Sequence, residues 1–176
     1  MIKIKKSTRA YVANKGPWWY IATWFGCGQA PMASGTVGSL GALPFAWVIH
    51  YYFGANALFA ASLIIFIVGC WASTQYLRHT GRVDDASEVV VDEVAGQWLL
   101  LAALPLSLPA YALGFFLFRI FDVLKPWPVS LADRKIKGGI GIMVDDMLAG
   151  LYPVIVLMLA QAFAPEATAA LLEWIR

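Results

Sequence analysis

The sequence is poor in charge. Only 14% of its 176 residues are Asp, Glu, Lys or Arg, against about 25% in an ordinary soluble domain. It has two cysteines, Cys27 and Cys70, both among apolar neighbours, so neither a disulfide framework nor a thiolate zinc site is expected. It has two histidines, His50 and His79, each far from the other polar motifs and read as structural. It lacks the period-two alternation of strands, any low-complexity tract, and an apolar run directly behind its basic head of the kind a cleaved signal peptide needs. The loop Ser34–Ser39 (SGTVGS) is not followed by Gly-Lys-Ser/Thr, which excludes a Walker A motif.

What remains is apolar: 60% hydrophobic residues, with a mean hydropathy of +0.68. Four apolar blocks stand out: Leu40–Phe53, Ala57–Thr74, Val94–Phe121 and Met147–Ala164. A membrane span needs roughly 20 residues, with about 17 as a lower limit. The second and fourth blocks qualify, while the first is short and contains Pro44. Pro105 and Pro109 divide the third into a helical hairpin, Val94–Leu104 and Pro109–Phe121. The expected fold is therefore an all-α, integral-membrane helical bundle with short and hairpin helices. One domain spans the chain: a basic head over 1–17, a core over 18–150 and a C-terminal apolar helix and tail over 147–176. A soluble helical bundle with an unusually apolar core is the alternative.

The sparse charge is concentrated. Nine of the eleven acids fall between positions 84 and 146. With the basic N-terminus in the cytoplasm, a hairpin, a second hairpin and a final exit bring twelve of the thirteen bases to that side, in keeping with the positive-inside rule. The nine clustered acids fall on the same side, so one polar layer at the cytoplasmic face is expected to hold the active site.

Four stretches carry the candidate chemistry. In DDASEVVVDEVAGQW (84–98), a helix over 85–96 would put Asp85, Glu88 and Asp92 on one stripe, with Glu93 about 100° further round. Like charges on one stripe repel, and a divalent cation turns that repulsion into coordination. Oxygen ligands with little histidine or thiolate nearby suit Mg²⁺. The competing reading is an acidic face paired with Arg78, Arg82 or Arg119. SGTVGS is expected to present backbone N–H groups to a phosphate, with Thr36 and Ser39 as binding residues, or to be a plain turn capped by Ser39. FRIFDVLKPWP sets Arg119, Asp122 and Lys125 on successive turns; the cations suit phosphate oxygens, and Asp122 a metal or the orienting of Arg119, against the plainer reading of an intrahelical ion pair at a membrane boundary. DRKIKGGIGIMVDD (133–146) reads as a flexible glycine loop folding a basic rim over the site before the pair Asp145 and Asp146. A weak internal echo links DEVAG and DDMLAG: Asp92–Gly96 and Asp146–Gly150 are both i, i+4 pairs, and the glycine would let another helix come close to the carboxylate. Together these parts suit metal-assisted attack of water on a phosphate monoester. From the residues alone, a hydrolase, a transferase and an ion-transport protein stay open.

SGTVGS, DxSEVVVDEVAGQW, FRIFDVLKPWP and GGIGIMVDDMLAG, in this order and spacing, resemble the phosphatidylglycerophosphatase A family from about Trp18 to Gly150. The resemblance implies a Mg²⁺-dependent lipid phosphatase of the bacterial inner membrane. Its expected partners are the bilayer and phosphatidylglycerophosphate, which it would convert to phosphatidylglycerol; no nucleic acid is expected. The motif positions carried over are Gly35, Thr36, Gly38, Ser39, Asp85, Glu88, Asp92, Glu93, Arg119, Asp122, Lys125, Asp133, Asp145 and Asp146. Asp92, Glu93, Asp145 and Asp146 are expected to form the metal-binding core, with Arg119 beside them, and Asp85, Glu88 and Asp122 to add ligands. The cysteines lack the Cys-x₅-Arg spacing of cysteine phosphatases. A cation-binding transporter or scaffold is the alternative, and it would place acids deep within the spans.

Overall fold

The structure is a computed structural model that describes residues 15–82, 86–125, 127 and 136–175. Its described residues form helices and turns, without strands. In chain order the α-helices are α1 (Pro17–Ala22), α2 (Ser34–Phe53), α3 (Ala55–Thr80), α4 (Val91–Leu101), α5 (Leu108–Leu124), α6 (Gly138–Phe163) and α7 (Pro165–Trp174), with a 3₁₀ turn at Cys27–Gln29.

The helices α2 to α6 alternate in direction. Gly54, at φ 83°, makes the tight reversal between α2 and α3, a conformation that costs glycine little. Pro105 lies in the turn between α4 and α5, and Ser107 caps α5 by accepting a hydrogen bond from Ala110 N at 3.1 Å. One end of the bundle therefore gathers the starts of α2, α4 and α6 with the ends of α3 and α5. Every described acid between 86 and 146 sits at that end.

The helix α4 is the central post. All eleven of its residues are buried. Trp98 Nε1 donates to Ala42 O of α2 at 3.0 Å, and its ring meets Trp24 edge-on at 5.7 Å. On the next face Ser62 Oγ of α3 donates to Ala95 O at 2.8 Å. On a third, Gly96 lies against the Asp146 carbonyl of α6, and Gly150 lies against the Gly96 carbonyl; a Cβ at either glycine would overlap backbone. The glycines of the echo thus serve each other, and α4 and α6 cross backbone to backbone.

Two helices, α3 and α6, are long and apolar enough to cross a membrane, with mean hydropathies of 2.1 and 1.9 over their most apolar stretches. Each has 26 residues, ~39 Å of helix against a hydrocarbon core of ~30 Å. They leave large side chains uncovered, including Ile64, Ile67 and Trp71 on α3 and Ile155, Met158 and Leu159 on α6. Such a surface fits a bilayer better than water.

Three boundaries differ from the sequence reading. The block Leu40–Phe53 is the later part of a 20-residue helix that starts at Ser34 and runs through Pro44. Gly138, Gly139 and Gly141 open α6 and are not a flexible loop; Gly139 packs on Thr74 and Gly141 on the Ile136 carbonyl, so these glycines serve close approach. Helix α4 starts at Val91, with a turn at Ser87-Glu88, so the stripe of Asp85, Glu88 and Asp92 does not form. Asp84, Asp85 and Asp133 lie outside the described residues.

Candidate active site

The polar end of the bundle opens into a pocket of about 640 Å³. Its floor is acidic. α4 contributes Asp92 and Glu93 from its first turn, where the helix dipole favours negative charge. α5 contributes Asp122, and α6 contributes Asp145 and Asp146. Glu93, Asp122 and Asp146 can each bring one carboxylate oxygen within 4.8 Å of the others.

Two cations flank the floor. Arg119 Nη1 bridges Glu93 Oε1 at 2.9 Å and Asp122 Oδ2 at 2.7 Å. Lys125, the residue after α5, is in the left-handed conformation at φ 41°, and its Nζ pairs with Asp145. Lys137 lines the same rim, part of the basic edge expected from the sequence; Arg134 and Lys135 lie outside the described residues.

Among the described residues, the three cations of the pocket, Arg119, Lys125 and Lys137, do not balance five buried carboxylates. Burial raises the Asp92 pKa well above the ordinary value, and the neighbouring Glu93 and Asp145 charges raise it further. Burial likewise lifts Glu93 to about 8, with Arg119 pulling down and Asp122 pushing up. Asp92 Oδ1 and Glu93 Oε2 are buried without a hydrogen-bond partner among the described residues. Unpartnered carboxylate oxygens in a low-dielectric site are costly. The donor set is all oxygen, with no histidine or cysteine lining the pocket. An octahedral Mg²⁺ with bonds of ~2.1 Å holds its ligand oxygens roughly 3–4 Å apart. The residues present therefore fit a hard divalent cation, with Glu93, Asp122 and Asp146 as the nearest ligands.

Several residues expected in the site are elsewhere. Glu88, read as a metal ligand, does not line the pocket; it is 1% exposed and forms a two-pronged ion pair with Arg82, at 2.7 and 3.1 Å. The pairing alternative holds for this acid because the chain turns before α4. Thr36 and Ser39, read as phosphate-binding, do not line the pocket either. Ser39 is fully buried in the second turn of α2 and caps nothing. Ser34 and Gly35 reach the pocket instead, and Ser34 Oγ donates to Ser87 O at 2.5 Å. The glycines of SGTVGS make room for a side chain: a Cβ at Gly35 would overlap the Glu93 carboxylate, and one at Gly38 would lie 2.9 Å from Glu93 Oε2. Asp145 and Asp146 lie about two turns inside α6 and not before it, because the helix starts at Gly138, upstream of the apolar block Met147–Ala164. His79 stacks on Trp18 at 4.4 Å, and His50 Nδ1 meets the Tyr111 hydroxyl at 3.1 Å, both structural as expected.

The sequence reading did not place Ser34 and Lys137 among the site residues. Ser34 was hidden because its segment read as loop rather than helix start, and Lys137 because it is one base among three.

A helical, membrane-associated protein with a buried carboxylate cluster between cations, set at the end of apolar helices, has the parts of a membrane phosphatase. A model of the phosphatidylglycerophosphatase A family matches residues 20–161, and the chain belongs to that family of phosphatases. It is 36% identical to phosphatidylglycerophosphatase A of Escherichia coli (strain K12) over 147 residues, 83% of this chain and 84% of that one. It is 37% identical to phosphatidylglycerophosphatase A of Haemophilus influenzae over 142 residues, 80% and 86% of the two chains. It is also 39% identical, over 80% of this chain and 91% of the other, to a Bacteroides thetaiotaomicron protein provisionally named phosphatidylinositol-3-phosphatase. No solved structure matches the chain.

Proposed function

We propose that the protein hydrolyses the phosphate monoester of phosphatidylglycerophosphate to phosphatidylglycerol and phosphate, with Mg²⁺ as cofactor. The observation that carries this reading is the convergence of Glu93, Asp122 and Asp146 beside Arg119, in a pocket at the end of the apolar helices. The names of the relatives in Escherichia coli and Haemophilus influenzae supply the substrate.

Glu93, Asp122 and Asp146 would hold the ion. Bound Mg²⁺ would offset phosphate charge and lower the pKa of a coordinated water. Arg119 and Lys125 sit where their charge stabilises the equatorial oxygens of the transferring phosphoryl group. The N-terminus of α2, open to the pocket at Ser34 and Gly35, adds backbone N–H groups and the positive end of a 20-residue helix. Asp92 has no cationic partner among the described residues and carries a raised pKa, which suits it to accept a proton from the attacking water. The water oxygen bonds to phosphorus, the ester P–O bond breaks, and the departing glycerol oxygen takes up a proton.

The bilayer supplies the substrate. The alternating helices support a multi-pass chain with its pocket on the cytoplasmic side of the bacterial inner membrane, where the polar end meets the headgroups. Phosphate release from phosphatidylglycerophosphate in detergent micelles tests the reading, with Mg²⁺ and with chelator, and phosphatidylinositol 3-phosphate as a parallel substrate. Release that needs Mg²⁺ and favours phosphatidylglycerophosphate is expected. Preference for the inositol lipid would move the substrate towards the Bacteroides relative. No release from either lipid by folded, metal-supplied protein would favour a cation-binding transporter or scaffold.

A further inference from the structure

Beneath Glu93 the seam between α2 and α4 carries polar groups that the pocket does not use. Ser39 and Gln97 are both fully buried. Ser39 Oγ, both amide atoms of Gln97 and Glu93 Oε2 have no hydrogen-bond partner among the described residues. Buried polar atoms in helical interiors are nearly always satisfied. Four such atoms along one seam point to a shared arrangement.

The contacts on either side fix the register. Gly35 and Gly38 of α2 lie against the Glu93 carboxylate, and further in Trp98 Nε1 of α4 donates to Ala42 O of α2. The two helices therefore run the same way from the pocket. Ser39 follows Gly35 by four residues and Gln97 follows Glu93 by four, so each lies one turn deeper on its stripe, ~6 Å below the acid. Their chemistry is complementary: a carboxylate only accepts, a primary amide donates and accepts, and a hydroxyl donates and accepts.

We propose that Ser39 and Gln97 are positioning residues that hold Glu93 from below. None of these atoms lies in hydrogen-bonding geometry with another in the structure, so the link is closed by ordered water or by a turn of the Gln97 amide: the Ser39 hydroxyl donates towards Gln97 Oε1, and Gln97 Nε2 donates towards Glu93 Oε2. Arg119 fixes the other oxygen, so the carboxylate is gripped at both ends and its plane cannot turn away from Asp122 and Asp146. The inference rests on the phosphatase reading for its kinetic consequence, and on the seam alone for its structural one.

The test compares Gln97→Met, which keeps shape and removes hydrogen bonding, with Ser39→Ala and with the double variant, in purified full-length protein. Each single variant is expected to lower kcat about tenfold, with KM changed by less than about twofold, as for partners that orient a metal ligand. The double variant is expected to be no worse than the weaker single, because one relay is cut in either case. Losses that multiply in the double variant, or kcat at the wild-type level in Gln97→Met, would overturn the proposal. Thermal unfolding separates this from failure of the phosphatase reading. Should the wild type hydrolyse no lipid phosphate, the effect of Glu93→Gln on Tm must still differ between the wild-type and Gln97→Met backgrounds; equal effects would sink the relay.

Discussion

Asp92 and Glu93 stand in the first turn of α4, whereas Asp145 and Asp146 stand about two turns inside α6. Both pairs are buried, both follow the same short pattern, and both end in the one pocket. Their support differs. The α4 pair has the helix N-terminus beneath it, and Glu93 shares Arg119 with Asp122. The α6 pair has no helix start to help it and depends on Lys125 for Asp145 and on contact with α4 for Asp146. Within each pair one acid takes a cation and the other has none among the described residues. The division suggests two jobs: Asp145 anchors a base, and Glu93 does so through one oxygen while sharing the proposed metal set, whereas Asp92 and Asp146 stay free of cations for water and metal.

The largest test of that division removes one cation-free acid from each helix. Asp92→Asn and Asp146→Asn should each lower phosphate release by about 10³-fold or more while the protein stays folded in the membrane. A variant of either that keeps full activity at sub-saturating Mg²⁺ would show that the pairs are not equivalent. Next, Arg119→Ala should cost about 10²-fold, since it frees two carboxylates and removes a phosphate partner. Lys125→Ala, which releases Asp145, should cost less, and a reversed order would invert the ranking of the two sides. Gly96→Ala and Gly150→Ala probe the contact between the two helices. Each should destabilise by about 1–3 kcal/mol through overpacking, read as a lower Tm. Unequal shifts would mean that the crossing is less reciprocal than its geometry. Glu88→Gln should have the smallest effect on turnover, under about threefold, with a lower Tm from the broken pair with Arg82. A changed Mg²⁺ requirement there would return Glu88 to the metal site.

Much of this was legible beforehand. Pro105 and Pro109 marked the α4–α5 hairpin, and the acids and Arg119 marked the pocket, because composition in an apolar chain leaves few places for charge. The glycine-rich segments misled. Gly35, Gly38, Gly139 and Gly141 read locally as loop, yet each sits in a helix where a neighbour leaves no room for a Cβ. Local propensity lost to packing, which no single segment reveals. Glu88 misled for a related reason: its partner Arg82 is chosen by a turn that only the folded chain defines. Gln97 was passed over as one polar residue in an apolar run, since its burial depends on all the helices around α4.

The crossing at Gly96 and Gly150 also works like the rivet of a pair of shears. Asp92 lies one turn from Gly96 and Asp146 one turn from Gly150, ~6 Å along their helices, with the Asp146 carbonyl itself against Gly96. A rotation of about 5° at the rivet would shift a carboxylate by roughly 0.5 Å, the whole tolerance of a preorganised site. The gap between the blades is thereby set by two missing methyl groups, and a chain that regained either one would have to resize the jaw before its carboxylates could converge as they do here.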